Sequence, residues 1–225
     1  MVPEVTILRA APKGLLTADH GAPALGVLGG LFNPVTGAHL ALGQAALEQF
    51  SLGEVLYVLP QVPPHKTFFG ARPEDRVAML ALAIDPYERF SAGVSSHGLF
   101  IDIHRGVQPI YPEGTRVYFI TGADAAERIL TWPYADRAAA LRDMFDRFEL
   151  IVADRGQAFT PPPDPALWPY AGRTHRLDLP PTFQEHSSSL VRRRLQEGQP
   201  IDDLVPGPVG DFIRARGLYR AEAAD

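Results

Sequence analysis

A glycine pair, an asparagine–proline step and a histidine lie together in the stretch Gly29–His39, GGLFNPVTGAH. Glycines that follow a strand let a ligand approach the backbone closely. With Thr36 as its N-cap, a helix that begins near Gly37 directs unpaired N–H groups and the positive end of its dipole at an anion. His39 falls in the first turn of that helix, where it is placed to donate a hydrogen bond to a phosphate oxygen. Either a structural turn or a phosphate-binding loop fits these residues, and the spacing matches neither the dinucleotide fingerprint nor a Walker loop.

A second candidate anion site is the run Ser187–Arg192, SSSLVR. Serine hydroxyls cap the start of a helix, and together with the first N–H groups they can bind an anion. Ser188 and Arg192 are four residues apart and therefore share one helical face. An arginine fork suits phosphate oxygens. The alternative is a serine-capped helix with a solvated basic face.

Two shorter segments add further candidate side chains. The loop Pro63–Lys66, PPHK, is stiffened by prolines, and a rigid loop that holds a charge can position a phosphate at low entropic cost. Asp124 follows a strand, where an acid can bind a sugar hydroxyl, and the nearby Trp132 can stack on a planar ring. Taken singly, these residues also fit a surface turn, a helix N-cap and a core tryptophan.

Alternating strand and helix patterns must position these segments. Apolar runs predict strands at Ala24–Leu31, Glu54–Leu59, Arg116–Ile120 and Phe148–Ala153, with vaguer ones within Phe90–Ile103 and His175–Leu179. Spacing and capping residues predict helices at Gly37–Phe50, Arg72–Ile84, Asp136–Phe145, Ser187–Glu197 and Pro208–Arg216, and one opened by Gly122–Asp124. Turn-forming residues predict loops at His104–Gly114 and Thr160–Pro169. The alternation indicates an α/β domain with a parallel sheet covered on both faces, whose ligands bind beyond the carboxyl ends of the strands.

The composition excludes several classes of protein and site. The 225-residue chain has no cysteine, which excludes disulfides, thiolate metal sites and cysteine nucleophiles. Its formal net charge of -5 disfavours a general nucleic-acid binder. No apolar run has the length of a membrane span and the first residues make a poor signal peptide, so we expect a cytoplasmic location. We expect residues 1–23 to form an N-terminal extension, either an edge strand or a loose arm, before a single domain at 24–220.

In order and spacing, these segments resemble the nucleotidyltransferase superfamily with the (H/T)xGH signature, and within it the bacterial nicotinate-nucleotide adenylyltransferases. The family's turn G-G-x-F-[DN]-P-x-[HT]-x-G-H is matched from Gly29 to His39 except at Ala38. Its other motifs resemble Pro63–Lys66, Asp75–Ile84, Asp124 with Trp132, Ser187–Arg192 and Gly198–Tyr219. The resemblance covers about residues 24–220 and implies a Rossmann-like fold. Several motifs in the same order are far more specific than any one of them.

Some positions depart from the family pattern. Thr36 stands where this branch usually has its first histidine, Ala38 replaces the signature glycine, and Ser189 replaces a threonine. The family's P-S-Y-T-x-D-T segment, which shapes the pyridine nucleotide pocket, has no match, and the chain has Gly98–His104 in its place. These departures bear on the identity of the acceptor more than on the chemistry.

The resemblance implies transfer of AMP from ATP to nicotinate mononucleotide, with release of pyrophosphate, in NAD biosynthesis. The implied catalytic residues are His39, Thr36, Arg192 and Lys66. The implied ATP-binding residues are Gly29, Gly30, Leu31, Phe32, His39, Arg155, Ser187, Ser188 and Arg192. The implied acceptor-binding residues are Asn33, Lys66, Asp124 and Trp132. Mg²⁺ is expected to accompany ATP, mostly coordinated by water, without a dedicated protein metal site.

Three alternatives stay open at this point. A sister enzyme would adenylylate another phosphate acceptor, such as nicotinamide mononucleotide or phosphopantetheine. A non-catalytic nucleotide-binding relative would fit Thr36 and Ala38, although the retained His39, Ser188 and Arg192 speak against it. A domain like those of aminoacyl-tRNA synthetases would need a K-M-S-K-S-like loop, which the chain lacks. The expected partners are therefore ATP and a mononucleotide, without nucleic acid or membrane, and the sequence does not indicate an oligomeric state.

Overall fold

A twisted sheet of seven strands forms the centre of the computed structural model, which describes residues 2–16, 23–61, 70–154, 159–183 and 185–220. Its strands are β1 Val5–Arg9, β2 Ala24–Gly29, β3 Glu54–Pro60, β4 Phe90–Ser95, β5 Arg116–Gly122, β6 Phe148–Ala153 and β7 Thr174–Leu177. They lie in the order β1-β4-β3-β2-β5-β6-β7. All neighbours are parallel except β1 and β4, which are antiparallel. The predicted strands are thereby confirmed, with ends that differ by a few residues.

Helices cover both faces of the sheet, as the alternation of patterns predicted. They are α1 Gly37–Gln49, α2 Pro73–Ile84, α3 Phe100–Val107, α4 Ala123–Leu130, α5 Arg137–Phe145, α6 Ser188–Gln196 and α7 Gly207–Arg216. One core packs α1, α2, α6 and α7 on one face, and a second packs α3, α4 and α5 on the other. No helix in the described part of the chain is both long and apolar enough to cross a membrane. The chain has a Rossmann-like α/β fold.

Helix α3 was not predicted, although the strand expected within Phe90–Ile103 is present as β4. The strand ends at Ser95, and helix α3 then runs through the start of the predicted loop His104–Gly114. The apolar side chains of Phe100, Ile103 and Val107 recur at helical spacing and pack in the core below the sheet. A short apolar run fits both strand and helix, and packing decides here for the helix.

A 3₁₀ helix at Pro165–Arg173 corrects the prediction that Thr160–Pro169 has no regular structure. Proline is tolerated at the first helical position because its missing N–H would have no partner within the helix. Asp164 caps this helix, since its carboxylate accepts a hydrogen bond from the N–H of Ala166 at 2.9 Å. Capping therefore makes the proline-rich segment partly regular.

The N-terminal residues supply an edge strand. Val5, Thr6 and Ile7 of β1 pair with Ser95, Val94 and Gly93 of β4. This pairing covers the hydrogen-bonding edge that β4 would otherwise expose. The chain then passes the amino end of the sheet, where the N–H of Leu15 donates to the buried carboxylate of Glu54 at 2.7 Å.

Candidate active site

The turn that follows β2 lies at the carboxyl edge of the sheet, between β3 and β5. The N–H of Gly30 donates to the carbonyl of Val58 in β3 at 3.1 Å, and a Cβ on Gly30 would lie 3.0 Å from the ring of Phe32. Phe32 itself has a φ of 43°, in the left-handed region that is strained for a non-glycine residue. Its buried ring packs 5.3 Å from that of His39 and 5.9 Å from that of Tyr57. Core packing therefore fixes the shape of the turn.

Thr36 and His39 form a reciprocal cap at the start of α1. The backbone N–H of Thr36 donates to Nδ1 of His39 at 3.0 Å, and the threonine hydroxyl lies 2.8 Å from the same nitrogen. Because Nδ1 accepts, this network assigns the proton of a neutral imidazole to Nε2. The predicted N-cap role of Thr36 is confirmed. The cap thus orients the His39 ring and makes Nε2–H the hydrogen-bond donor.

The start of α6 contacts the same turn. Ser187 caps α6 by accepting a hydrogen bond from the N–H of Leu190 at 3.1 Å. The hydroxyl of Ser188 donates to the carbonyl of Pro34 at 2.7 Å, and Nη1 of Arg192 donates to the carbonyl of Asn33 at 2.6 Å. Two helix N-termini, with a hydroxyl and a guanidinium, therefore converge on one backbone segment.

The side chain of Asn33 supports the turn through hydrogen bonds to distant segments of the chain. Its Oδ1 accepts hydrogen bonds from the hydroxyl of Tyr219 at 2.8 Å and from the N–H of Ala71 at 3.3 Å. Gly70 adopts a φ of +75°, and a Cβ there would lie 2.9 Å from the Asn33 amide. The buried Asn33 amide, which the resemblance assigned to the acceptor, thus joins the turn to the start of α2 and to the C-terminal segment.

A fully buried arginine adds positive charge beneath the turn. Nε of Arg76 donates to the carbonyl of Ala71 at 2.8 Å. Burial lowers the pKa of Arg76, and the neighbouring Arg192 lowers it further against the opposing effect of Tyr219. Burial also lowers the pKa of Arg192 and raises that of Tyr219. Because guanidinium groups stay protonated in proteins, two positive charges lie near the turn.

Sequence reasoning missed Arg76 and Tyr219. Arg76 shares the buried stripe of α2 with Leu80 and Ile84, at positions i, i+4 and i+8. A charged residue in such a stripe was a usable signal. Tyr219 follows the C-terminal helix and carries no local pattern that marks it.

Asp124 and Trp132 follow β5, the strand that neighbours β2 on the side away from β3. Asp124 is exposed in the first turn of α4, directly after β5, and Trp132 follows α4 with 37% of its surface exposed. Since β5 pairs with β2, Asp124 lies at the same edge of the sheet as the turn. Phe100 stacks on Phe119 at 4.3 Å, in the segment that replaces the family's pyridine-pocket motif.

Two predicted site residues, Lys66 and Arg155, lie outside the described residues, as does the whole predicted loop Pro63–Lys66. Among the residues that the structure describes, no three His, Asp or Glu side chains are grouped to hold a metal ion.

Comparisons with known proteins identify the family. Residues 27–194 match the family described as cytidylyltransferase-like. A probable nicotinate-nucleotide adenylyltransferase from Synechococcus sp. is 34% identical over 87% of this chain and 94% of its own length. One from Bordetella pertussis is 32% identical over 89% and 100%. A Plasmodium falciparum nicotinic acid mononucleotide adenylyltransferase complexed with NaAD has a similar fold, with a TM-score of 0.67, 18% identity and coverage of 88% and 97%. The chain therefore belongs to the cytidylyltransferase-like nucleotidyltransferases, among the nicotinate-nucleotide adenylyltransferases.

Proposed function

We propose that this enzyme transfers AMP from ATP to nicotinate mononucleotide and releases pyrophosphate, a step of NAD biosynthesis. One observation carries the proposal most directly. The N-termini of α1 and α6 meet at residues 33–36, where Ser188 and Arg192 hydrogen-bond the backbone at 2.7 and 2.6 Å. Helix N-termini, hydroxyls and guanidinium groups all favour phosphate oxygens. The names of the relatives above support the same reaction and acceptor.

On the ATP side, we assign the phosphates to the turn and its two helices. The backbone of Gly29–Phe32 and the Nε2–H of His39 would bind phosphate oxygens near the reacting phosphorus, with Thr36 orienting the ring. Ser187, Ser188 and Arg192 would bind the β- and γ-phosphates. The Arg192 guanidinium that now contacts the Asn33 carbonyl would stabilise the charge that develops on pyrophosphate. Arg155 is proposed near the adenosine.

The reaction needs placement and charge neutralisation more than a protein nucleophile. An oxygen of the acceptor phosphate forms a bond to the α-phosphorus of ATP. The bond from that phosphorus to the oxygen bridging to the β-phosphate breaks, and pyrophosphate leaves with the electron pair. We treat Mg²⁺ as part of the nucleotide substrate, because magnesium prefers phosphate oxygens and retained waters.

On the acceptor side, we propose Asp124, Trp132 and Lys66 as binding residues. Trp132 would stack on the pyridine ring, Asp124 would accept a hydrogen bond from the nucleotide, and Lys66 would pair with its phosphate. Asn33 would act here through the shape of the turn, because its side-chain oxygen faces Tyr219 and Ala71. We also propose a cytoplasmic location, and the net charge of -5 argues against a nucleic-acid partner.

An acceptor panel tests the proposal. The protein is mixed with ATP and Mg²⁺, and pyrophosphate release is measured with nicotinate mononucleotide, nicotinamide mononucleotide or phosphopantetheine. Among the three acceptors, we expect rapid pyrophosphate release only with nicotinate mononucleotide. Faster release with the amide or with phosphopantetheine would reassign the acceptor. Measurable ATP binding without release for any acceptor would contradict an enzymatic function.

A further inference from the structure

The segment that carries Trp132 is anchored by residues to which the proposed function gives no role. The N–H of Tyr134 donates to the carbonyl of Trp132 at 2.8 Å. The hydroxyl of Tyr134 donates to the carbonyl of Ile129 at 3.2 Å and lies 3.9 Å from Sδ of Met144. The connection between α4 and α5 is therefore tied to both helices.

Arg137 links this connection to the proline-rich segment after β6. Its Nε and Nη2 both donate to Oδ2 of Asp164, at 3.1 and 2.6 Å, and its Nη1 lies 3.5 Å from the carbonyl of Trp132. Oδ1 of Asp164 accepts from the N–H of Ala166. This N–H, with Arg137, lowers the pKa of Asp164.

Asp164 is itself held in place by its own segment, so its carboxylate offers Arg137 a partner in a fixed position. The N–H of Asp164 donates to the carbonyl of Pro162 at 2.8 Å. The 3₁₀ helix that Asp164 caps buries Leu167 and stacks Tyr170 on Phe145 of α5 at 5.0 Å. A charge-assisted pair between two anchored segments loses little side-chain entropy when it forms.

We propose that Arg137 and Asp164 are positioning residues, which hold the Trp132 segment in the orientation that receives the pyridine ring of the acceptor. The inference rests on the proposed function, which places the acceptor against Trp132. Pre-organising an aromatic ring improves affinity by lowering the entropy lost on binding. Helix α5 and the 3₁₀ helix pack on the face of the sheet opposite to α1 and α6, so we expect loss of the pair to weaken acceptor binding and to spare the ATP phosphates.

The test uses the fact that the chain has two tryptophans, Trp132 and Trp168. Trp168 is 72% exposed, so we expect Trp168→Phe to keep the fold and to leave Trp132 as the single tryptophan, whose emission is excited selectively over that of the tyrosines. In that background, nicotinate mononucleotide is titrated into the parent, Arg137→Ala and Asp164→Asn, and quenching gives a Kd. We expect each substitution to raise the acceptor Kd and KM roughly 3- to 10-fold while the KM for ATP stays unchanged. The double variant should be no worse than Arg137→Ala alone, because both changes remove one interaction.

Arg147→Ala is the matched control. Arg147 donates to Asp143 at 2.6 Å beyond the other end of α5, so its loss removes a similar ion pair away from Trp132. An acceptor Kd that stays at the parent value in Arg137→Ala and Asp164→Asn, or that rises equally in Arg147→Ala, would overturn the positioning role. Absence of quenching in the Trp168→Phe parent would instead contradict the acceptor site at Trp132, and with it that part of the proposed function.

Discussion

His39 uses its two ring nitrogens for different tasks. Nδ1 accepts the N–H of Thr36 and thereby caps α1, which belongs to the fold. The same contact assigns the proton to Nε2, which we propose as the donor to ATP. Thr36, at the position of the family's usual first histidine, supplies both its N–H and its hydroxyl to this nitrogen. The departure from the family pattern therefore preserves the orientation of the ring.

Substitution of His39 separates the two tasks. In His39→Asn, the amide oxygen can replace Nδ1 as the acceptor for Thr36, but no donor reaches the position of Nε2. We expect kcat to fall by at least about 100-fold, the usual cost of one lost transition-state donor. Urea unfolding should show a smaller loss of stability in His39→Asn than in His39→Ala, because the latter also removes the cap. Near-normal kcat in His39→Asn would remove Nε2 from the chemistry.

At the scale of the elements, local signals predicted most boundaries. The N-caps Thr36 and Ser187 predicted the starts of α1 and α6, and β6 has the predicted ends. Helix α3 was missed because its eight residues are too few for periodicity to separate helix from strand.

The contact between α6 and the turn after β2 was harder to predict from the sequence than the ends of the elements. Ser188 and Pro34 are 154 residues apart, and no local pattern shows that α6 touches the turn. The resemblance to a family supplied that association, and the structure supplied its contacts. The hydrogen bonds of Asn33 to Ala71 and Tyr219 depend on tertiary packing and carry no local signal, whereas Arg76 had a usable signal in the apolar stripe of α2 that sequence reasoning overlooked.

Substitution of Tyr219 tests whether the C-terminal segment supports the turn. Tyr219→Phe keeps the ring and removes the hydrogen bond to Asn33. We expect a loss of about 1 kcal/mol in the free energy of unfolding and a lower kcat/KM for ATP, because the amide and the carbonyl that Arg192 contacts belong to the same residue. Tyr87→Phe serves as control, since the Tyr87 ring stacks on Phe90 at 4.4 Å, away from Asn33. Equal effects of the two substitutions on kcat/KM would contradict the support role.

On the scale of the whole molecule, the candidate site and the buried hydrogen bonds of Glu54 lie at opposite edges of the sheet. The candidate site lies at the carboxyl edge, whereas Glu54 begins β3 at the opposite edge. The buried Glu54 carboxylate accepts from the N–H of Leu15 at 2.7 Å, from the hydroxyl of Tyr111 at 2.6 Å and from that of Ser91. Burial raises the pKa of Tyr111, so this phenol stays a donor.

Glu54→Gln should therefore weaken the fold and spare the reaction. The amide nitrogen would face hydrogen-bond donors, which costs about 1–3 kcal/mol at a buried site. Urea unfolding measures this loss, and kcat with saturating substrates should match the parent. Glu88→Gln, which breaks the exposed pair with Lys13, should change stability by at most about 0.5 kcal/mol. A lower kcat in Glu54→Gln at unchanged stability would show that the two edges are coupled.

The contacts around the turn, which we propose as the ATP site, also bear on when the growing chain can first bind nucleotide. Ser188, Arg192 and Tyr219 reach back 154, 159 and 186 residues to the turn. A ribosome synthesises the turn early and these partners last. A nascent polypeptide, or a product cut short before residue 219, thus carries the glycine-rich segment without the groups that complete it. On the proposed assignment of the ATP site, we expect ATP binding to begin only when nearly the entire chain has been translated, so that unfinished molecules do not sequester the nucleotide.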